Sequence, residues 1–130
     1  MSATSAAETP VPKVPSRASD EAWNDYLATL ARPQGPLAEH HVRLVCGFWR
    51  QLRSLVNGAF PLPQAGPTPD QGLLMLWDRD RHHLEVEIYE DGTYDWFYRD
   101  RQTESYLGDE GLALDVRPPE LVGQLRHFSN

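Results

Sequence analysis

The chain has 130 residues, with 12 basic against 19 acidic side chains and a formal net charge of −7. That length fits one domain able to bury a core without staples, and a lone cysteine, Cys46, rules out an internal disulfide. No apolar run approaches the ~18 residues needed to cross a bilayer and no basic-then-apolar leader opens the chain, so a soluble cytoplasmic protein is expected. The acidic balance disfavours a phosphate backbone as ligand and favours a basic protein partner or a cation.

Residues 1–18 are small, polar and dotted with proline; this composition predicts a disordered arm ahead of one globular domain over 19–130. Ser19, Asp20 and Glu21 look like a helix start, and Trp23, Tyr26, Leu27 and Leu30 follow at helical spacing until Arg32-Pro33. After the turn at 33–36, residues 37–56 predict a long amphipathic helix. Leu37, His41, Leu44, Val45, Phe48, Trp49, Leu52, Leu55 and Val56 form its stripe, Arg43, Arg50 and Arg53 lie off it, and Asn57-Gly58 closes it. Of the adjacent His40 and His41, at most one can point inward. Residues 60–69 hold four prolines, which predicts an extended connector.

Residues 73–100 read as three antiparallel strands joined by two tight turns. The second turn decides the register. With Asp91-Gly92 as a two-residue loop, Glu87 would face Trp96 and each sheet face would mix charged with apolar side chains. With Glu90-Asp91-Gly92 as a three-residue loop and Gly92 left-handed, Ile88 pairs with Tyr94, Val86 with Trp96 and Leu84 with Tyr98, and all six share one face. A one-residue slip would turn that set to water, so the second register is expected. Further on, 100–111 reads as a loop with a short edge strand at 104–107. Leu112, Leu114 and Val116 alternate like another strand, and Pro118-Pro119 opens a short helix over 120–127, with Leu121, Val122 and Leu125 joining Phe128 in an apolar strip. The fold class expected is α+β, an antiparallel meander of three to five strands packed against the long helix, with a short helix at each end of the domain.

The segment Pro67-Thr68-Pro69-Asp70-Gln71-Gly72, the apolar strand ending in Trp77, the Leu84-Glu85-Val86-Glu87-Ile88 strand and the Asp91-Gly92 turn resemble a family of small bacterial proteins without an assigned activity. Its pattern is a PTPDGG segment, an apolar-x-Leu-x-Trp strand, a Leu-Glu-Ile-Glu-Ile strand and an Asp-Gly hairpin. The resemblance implies that Leu73, Met75 and Trp77 point inward, with Trp77 opposite Leu84 across an Asp80-Arg81 turn. It also implies a second small protein encoded nearby, as in a two-component or toxin–antitoxin-like pair. Where the family tends to polar residues this chain has Leu74 and Leu76, which puts both on the outer sheet face beside Tyr89 and Phe97.

No nucleophile–base set, phosphate loop, His-Glu-x-x-His or cysteine pair is present, so no catalytic residue and no cofactor are assigned. Eleven of the 19 acids lie between residues 78 and 110, against four arginines. On the outer face Glu85, Glu87 and Asp95 project together, Glu87 opposite Asp95, a like-charge pair that asks for a neighbouring cation. One reading makes these three carboxylates, with His82 or His83 and the nearby Asp78 and Asp80, the site of a small metal-dependent enzyme; Arg99 and Arg101 are placed to neutralise them instead. The leading reading is a non-enzymatic accessory protein. Leu74, Leu76, Tyr89 and Phe97 form its apolar centre and Glu85, Glu87, Asp95 and Arg99 the rim, for a basic or amphipathic protein partner or a second copy of the chain. Against it stands the possibility that the segment 112–128 folds over this face and buries it.

Overall fold

A computed structural model of the chain describes residues 20–32, 35–56 and 60–129. The expected arm at 1–18, the Ser19 cap, part of the 33–36 turn and the Asn57-Gly58 stop lie outside the described residues. Helix α1 is Asp20–Thr29 and α2 is Glu39–Ser54. Five strands follow, β1 Gln64–Pro67, β2 Gly72–Arg79, β3 His82–Tyr89, β4 Thr93–Asp100 and β5 Ser105–Ala113, and α3 is Pro119–Leu125. Each strand pairs antiparallel with its neighbour in sequence, giving one open sheet in the order β1-β2-β3-β4-β5.

The hairpin register follows the hydrophobic alternation. Ile88 pairs with Tyr94, Val86 with Trp96 and Leu84 with Tyr98, and all six are buried. Gly92 has φ +87, and its N–H donates to Tyr89 O at 3.2 Å, so the left-handed residue lies where a three-residue loop requires it. Trp77 pairs with Leu84, and Leu73 and Met75 point inward beside it.

Helix α2 is 16 residues long, shorter than the 20 expected from its apolar stripe. Leu37 is buried but not helical: its N–H donates to Leu30 O at 2.8 Å and its carbonyl accepts from Arg32 N at 2.6 Å. Backbone committed to those bonds cannot also join a helical ladder. From α2, Phe48 meets the Tyr94 ring at 4.8 Å and Trp49 stacks on Trp77 at 6.4 Å. His41 is the inward member of the histidine pair; it is buried and its Nε2–H donates to Ile88 O at 2.7 Å.

Two strands depart from the expected reading. The connector at 60–69 contains β1, whose Gln64 to Pro67 pair with Leu76 to Leu73; proline is tolerated there because β1 is an edge. Where a loop and two short strands were expected, β5 runs unbroken over nine residues, all but one exposed. Its side chains carry no burial signal, but β4 has a second edge whose backbone groups need partners. Trp96 pairs with Asp109 and Tyr94 with Leu112, so Asp95 alone faces Glu110 and Gly111; Gly111, at φ +67, absorbs this bulge.

The C-terminal segment packs on the inner face, with α1 and α2. Leu121 and Leu125 are fully buried and Phe128 nearly so, Arg79 donates to Phe128 O at 3.1 Å, and the His127 imidazole lies flat on the inward His82 at 3.8 Å. The Arg117 guanidinium sits 4.2 Å from the Phe48 ring centre. Residues 112–128 therefore do not close over the outer face. No helix among the described residues is long and apolar enough to cross a membrane.

This two-sidedness predicts opposite mutational outcomes. Phe48→Ala, at a ring only 2 % exposed, is expected to cost about 3–5 kcal/mol in urea unfolding. Phe97→Ala, at a ring 36 % exposed, is expected to cost less than about 1 kcal/mol; equal losses would mean that both faces are core.

Candidate functional site

Strand alternation puts Leu74, Leu76, Glu85, Glu87, Tyr89, Asp95, Phe97 and Arg99 on the outer face, but only some of them meet. Leu74 pairs with Glu87, Leu76 with Glu85, Glu85 with Phe97 and Glu87 with Asp95. A groove of about 540 Å³ is lined by Leu74, Glu85, Glu87, Asp95 and Phe97, joined by Trp96, Gly108, Asp109 and Glu110. Leu74 and Phe97 supply its apolar floor. Leu76 faces a separate depression with Gln64, Leu62 and Pro61. Tyr89 lies at the rim of a third hollow beyond Asp95, and Arg99 is turned to Glu104, at 3.0 Å, and to the Tyr106 ring.

Glu87 and Asp95 stand directly opposite each other. Each is drawn to its own donors: the Thr68 hydroxyl donates to Glu87 at 2.6 Å, while Asp95 accepts from the Tyr89 hydroxyl at 2.7 Å and from Gly111 N–H at 2.8 Å. Burial, the bond to Asp95 and the nearby Glu87 charge together raise the Tyr89 pKa. The turn between β1 and β2 holds this arrangement from one side. Gly72 N–H donates to the Thr68 hydroxyl at 3.0 Å, and a Cβ on Gly72 would stand 2.6 Å from Glu87 Oε2. The glycine is needed so that the carboxylate can lie across the strand. Gln71 beside it adopts φ +63.

Glu85 belongs to a different network. His83 bridges it and Asp78, with Nε2 at 2.7 Å from Glu85 and Nδ1 at 2.9 Å from Asp78. Arg101 grips the same Asp78 with both terminal nitrogens; that contact, followed by the His83 bond, holds the carboxyl well below the usual range. Of the two histidines considered for the acidic face only His83 is there, because His82 alternates to the inner side, with its Nδ1 2.6 Å from the Tyr98 hydroxyl. Asp80 occupies the turn at φ +55. The three carboxylates read as a metal site therefore do not converge, and among the described residues no group of three His, Cys, Asp or Glu is placed to hold a metal ion.

Gly108, Asp109 and Glu110 are groove residues that the sequence reading left in a loop. Two glycines and two acids within residues 108–111 depress strand propensity, and the strand signal of the Tyr106-Leu107 pair stops short of them. Compared with protein-family models, with curated proteins and with solved structures, the chain matches none.

Two consequences are measurable. At Gln71 a left-handed conformation strains any side chain, so Gln71→Gly is expected to raise stability by about 1 kcal/mol; a loss on chemical denaturation would contradict this. His83 on the outer face and His127 on the inner face should titrate apart. Burial works against protonated His83, but its bonds to Glu85 and Asp78 outweigh that and raise its pKa; burial, then the adjacent His82, lowers that of His127. Relative to an unfolded value of about 6.5, the His83 contribution to stability is complete below that pH and is lost as pH rises through its raised value. The His127 contribution is present above about 6.5 and is lost as pH falls through its lowered value. NMR titration of the imidazole protons should place the His83 midpoint above the His127 midpoint, and the reverse order would contradict the arrangement.

Proposed function

We propose that this chain is a non-enzymatic binding protein whose outer sheet face receives a basic or amphipathic segment of a protein partner. The supporting observation is a groove floored by Leu74 and Phe97 and walled by carboxylates, on a face that the C-terminal segment leaves open. Among the described residues no arginine or lysine forms an ion pair with Glu87, Asp95, Asp109 or Glu110. A net charge of −7 adds a long-range attraction for cations. An apolar floor with a charged wall is the anatomy of a surface that excludes water at its centre and sets specificity at its margin. The family resemblance, and not the groove, implies the more specific role of the acidic, neutralising member of a two-component pair. A cytoplasmic setting accords with Cys46, half-buried, whose thiol pKa is pushed up by that burial.

The test is an NMR titration with a synthetic peptide alternating arginine and valine. Saturable shifts are expected at Leu74, Glu85 and Phe97, weakening as salt shortens the screening length. Phe97→Asp should abolish them while leaving the melting temperature within a few degrees of the parent, since this ring is not core. A peptide with glutamate in place of arginine should not bind. Absence of saturable shifts, or shifts confined to the inner face, would sink the reading. Sedimentation of the parent as a dimer that Phe97→Asp converts to monomer would instead make a second copy the occupant and overturn the basic partner.

A further inference from the structure

We infer that the partner segment is held as a sixth strand along the free edge of β5, extended, with arginine or lysine at alternate positions. This rests on the docking reading above and names how the segment is gripped. The sheet is open, so β1 and β5 each present one unpaired edge, and the two edges differ. The β1 edge is four residues long, ends in Pro67, and its Ala65 carbonyl already accepts from the Tyr26 hydroxyl at 2.8 Å. The β5 edge is uncovered, with residues 105–111 all exposed. Of the large apolar side chains exposed among the described residues, Phe97 and Tyr106, the latter 54 % exposed, share the outer face at this end of the sheet, and their rings lie 5.8 Å apart.

Gly108 links the edge to the groove. It sits beside Phe97 on the outer face, and a Cβ there would stand 2.6 Å from Trp96 O, so the strand is bare at this point. A side chain reaching inward from a sixth strand would cross Gly108 unobstructed. The Phe97 ring lies two strand spacings, about 10 Å, from that strand's backbone, a span that needs the length of arginine or lysine. The cation would then lie against an aromatic face, with Glu110 beside it. The regular run Ser105–Asp109, ahead of the bulge at Gly111, provides the backbone ladder for this strand addition.

The same edge is poorly suited to a second copy of the chain. Antiparallel self-pairing centred on Leu107 would bring Glu104 up to Glu110 at both ends of the ladder, and each chain carries −7. An extended segment bearing cations meets the same acids favourably.

Three measurements test this: the arginine–valine peptide and the same peptide N-methylated at every backbone amide, each against the parent chain, and the arginine–valine peptide against Glu110→Lys. The expected result is slowed amide exchange within Ser105–Ala113 on binding, and affinity weakened by more than about tenfold by N-methylation, the effect of a few lost backbone hydrogen bonds. Glu110→Lys should weaken binding severalfold without lowering the melting temperature, since Glu110 is exposed. If both peptides bind Leu74, Glu85 and Phe97 equally and exchange in β5 is unchanged, strand addition is wrong while the groove reading stands. If neither binds, both are wrong.

Discussion

Gly92, left-handed in a three-residue loop, sets the hairpin register on which the rest of this structure depends. With the loop one residue shorter, Glu87 would oppose Trp96 and Ile88 would oppose Asp95. As built, Leu84, Val86, Ile88, Tyr94, Trp96 and Tyr98 form one continuous apolar surface, and α2 and α3 pack against it. That one surface also explains why the other side is polar, because in a sheet the two faces are fixed by the same alternation. The acidic groove is thus a consequence of the core and not an addition to it.

Burial is distributed accordingly. Helix α2 brings Phe48 and Trp49 onto the sheet, Trp23 leans on Trp49 at 5.5 Å, and Leu121, Leu125 and Phe128 complete the inner layer. The outer face is stabilised by a different currency, hydrogen bonds to carboxylates. Thr68, Tyr89 and the Gly111 amide restrain Glu87 and Asp95, while His83 and Arg101 gather Glu85 and Asp78. These donors hold Glu87 and Asp95 facing each other across β3 and β4. They are neutral toward Glu87 and Asp95, so those two side chains are restrained in position by hydrogen bonds and not by ion pairs.

The ends of the sheet show how differently two edges can be treated. At β1, brevity, Pro67 and the Tyr26 hydroxyl close the ladder. At β5, glycines and acids keep the strand exposed while the bulge at Gly111 and the like charges discourage self-association, the usual means by which open edges avoid aggregation. Asp100, buried beneath the turn into β5, anchors that strand's start. It takes two bonds from Arg81 Nε at 3.1 and 3.0 Å and accepts from the Gln102 and Thr103 amides, and the Arg81 contact, opposed by burial, keeps its pKa down at about 2.

In β2, apolar from Leu73 to Trp77, only the family resemblance implied the inward set; the sequence by itself determined the parts governed by local periodicity: the register of β3 against β4, the left-handed Gly92, and the outer placement of Phe97, Glu85, Glu87 and Asp95. Those features repeat every two residues and need no knowledge of what lies opposite. Only the tertiary structure decided where backbone without a side-chain signal would pair. It made a strand of the proline-rich 64–67 and of the polar 105–113, because β2 and β4 each had a free ladder to satisfy. It also kept Leu37 out of α2 by giving its N–H and carbonyl other partners, and it sent residues 112–128 to the inner face, where buried aromatic surface was available. Which acid would meet which donor was equally hidden, since Thr68 and Glu87, or His83 and Asp78, become neighbours only once strands are laid side by side.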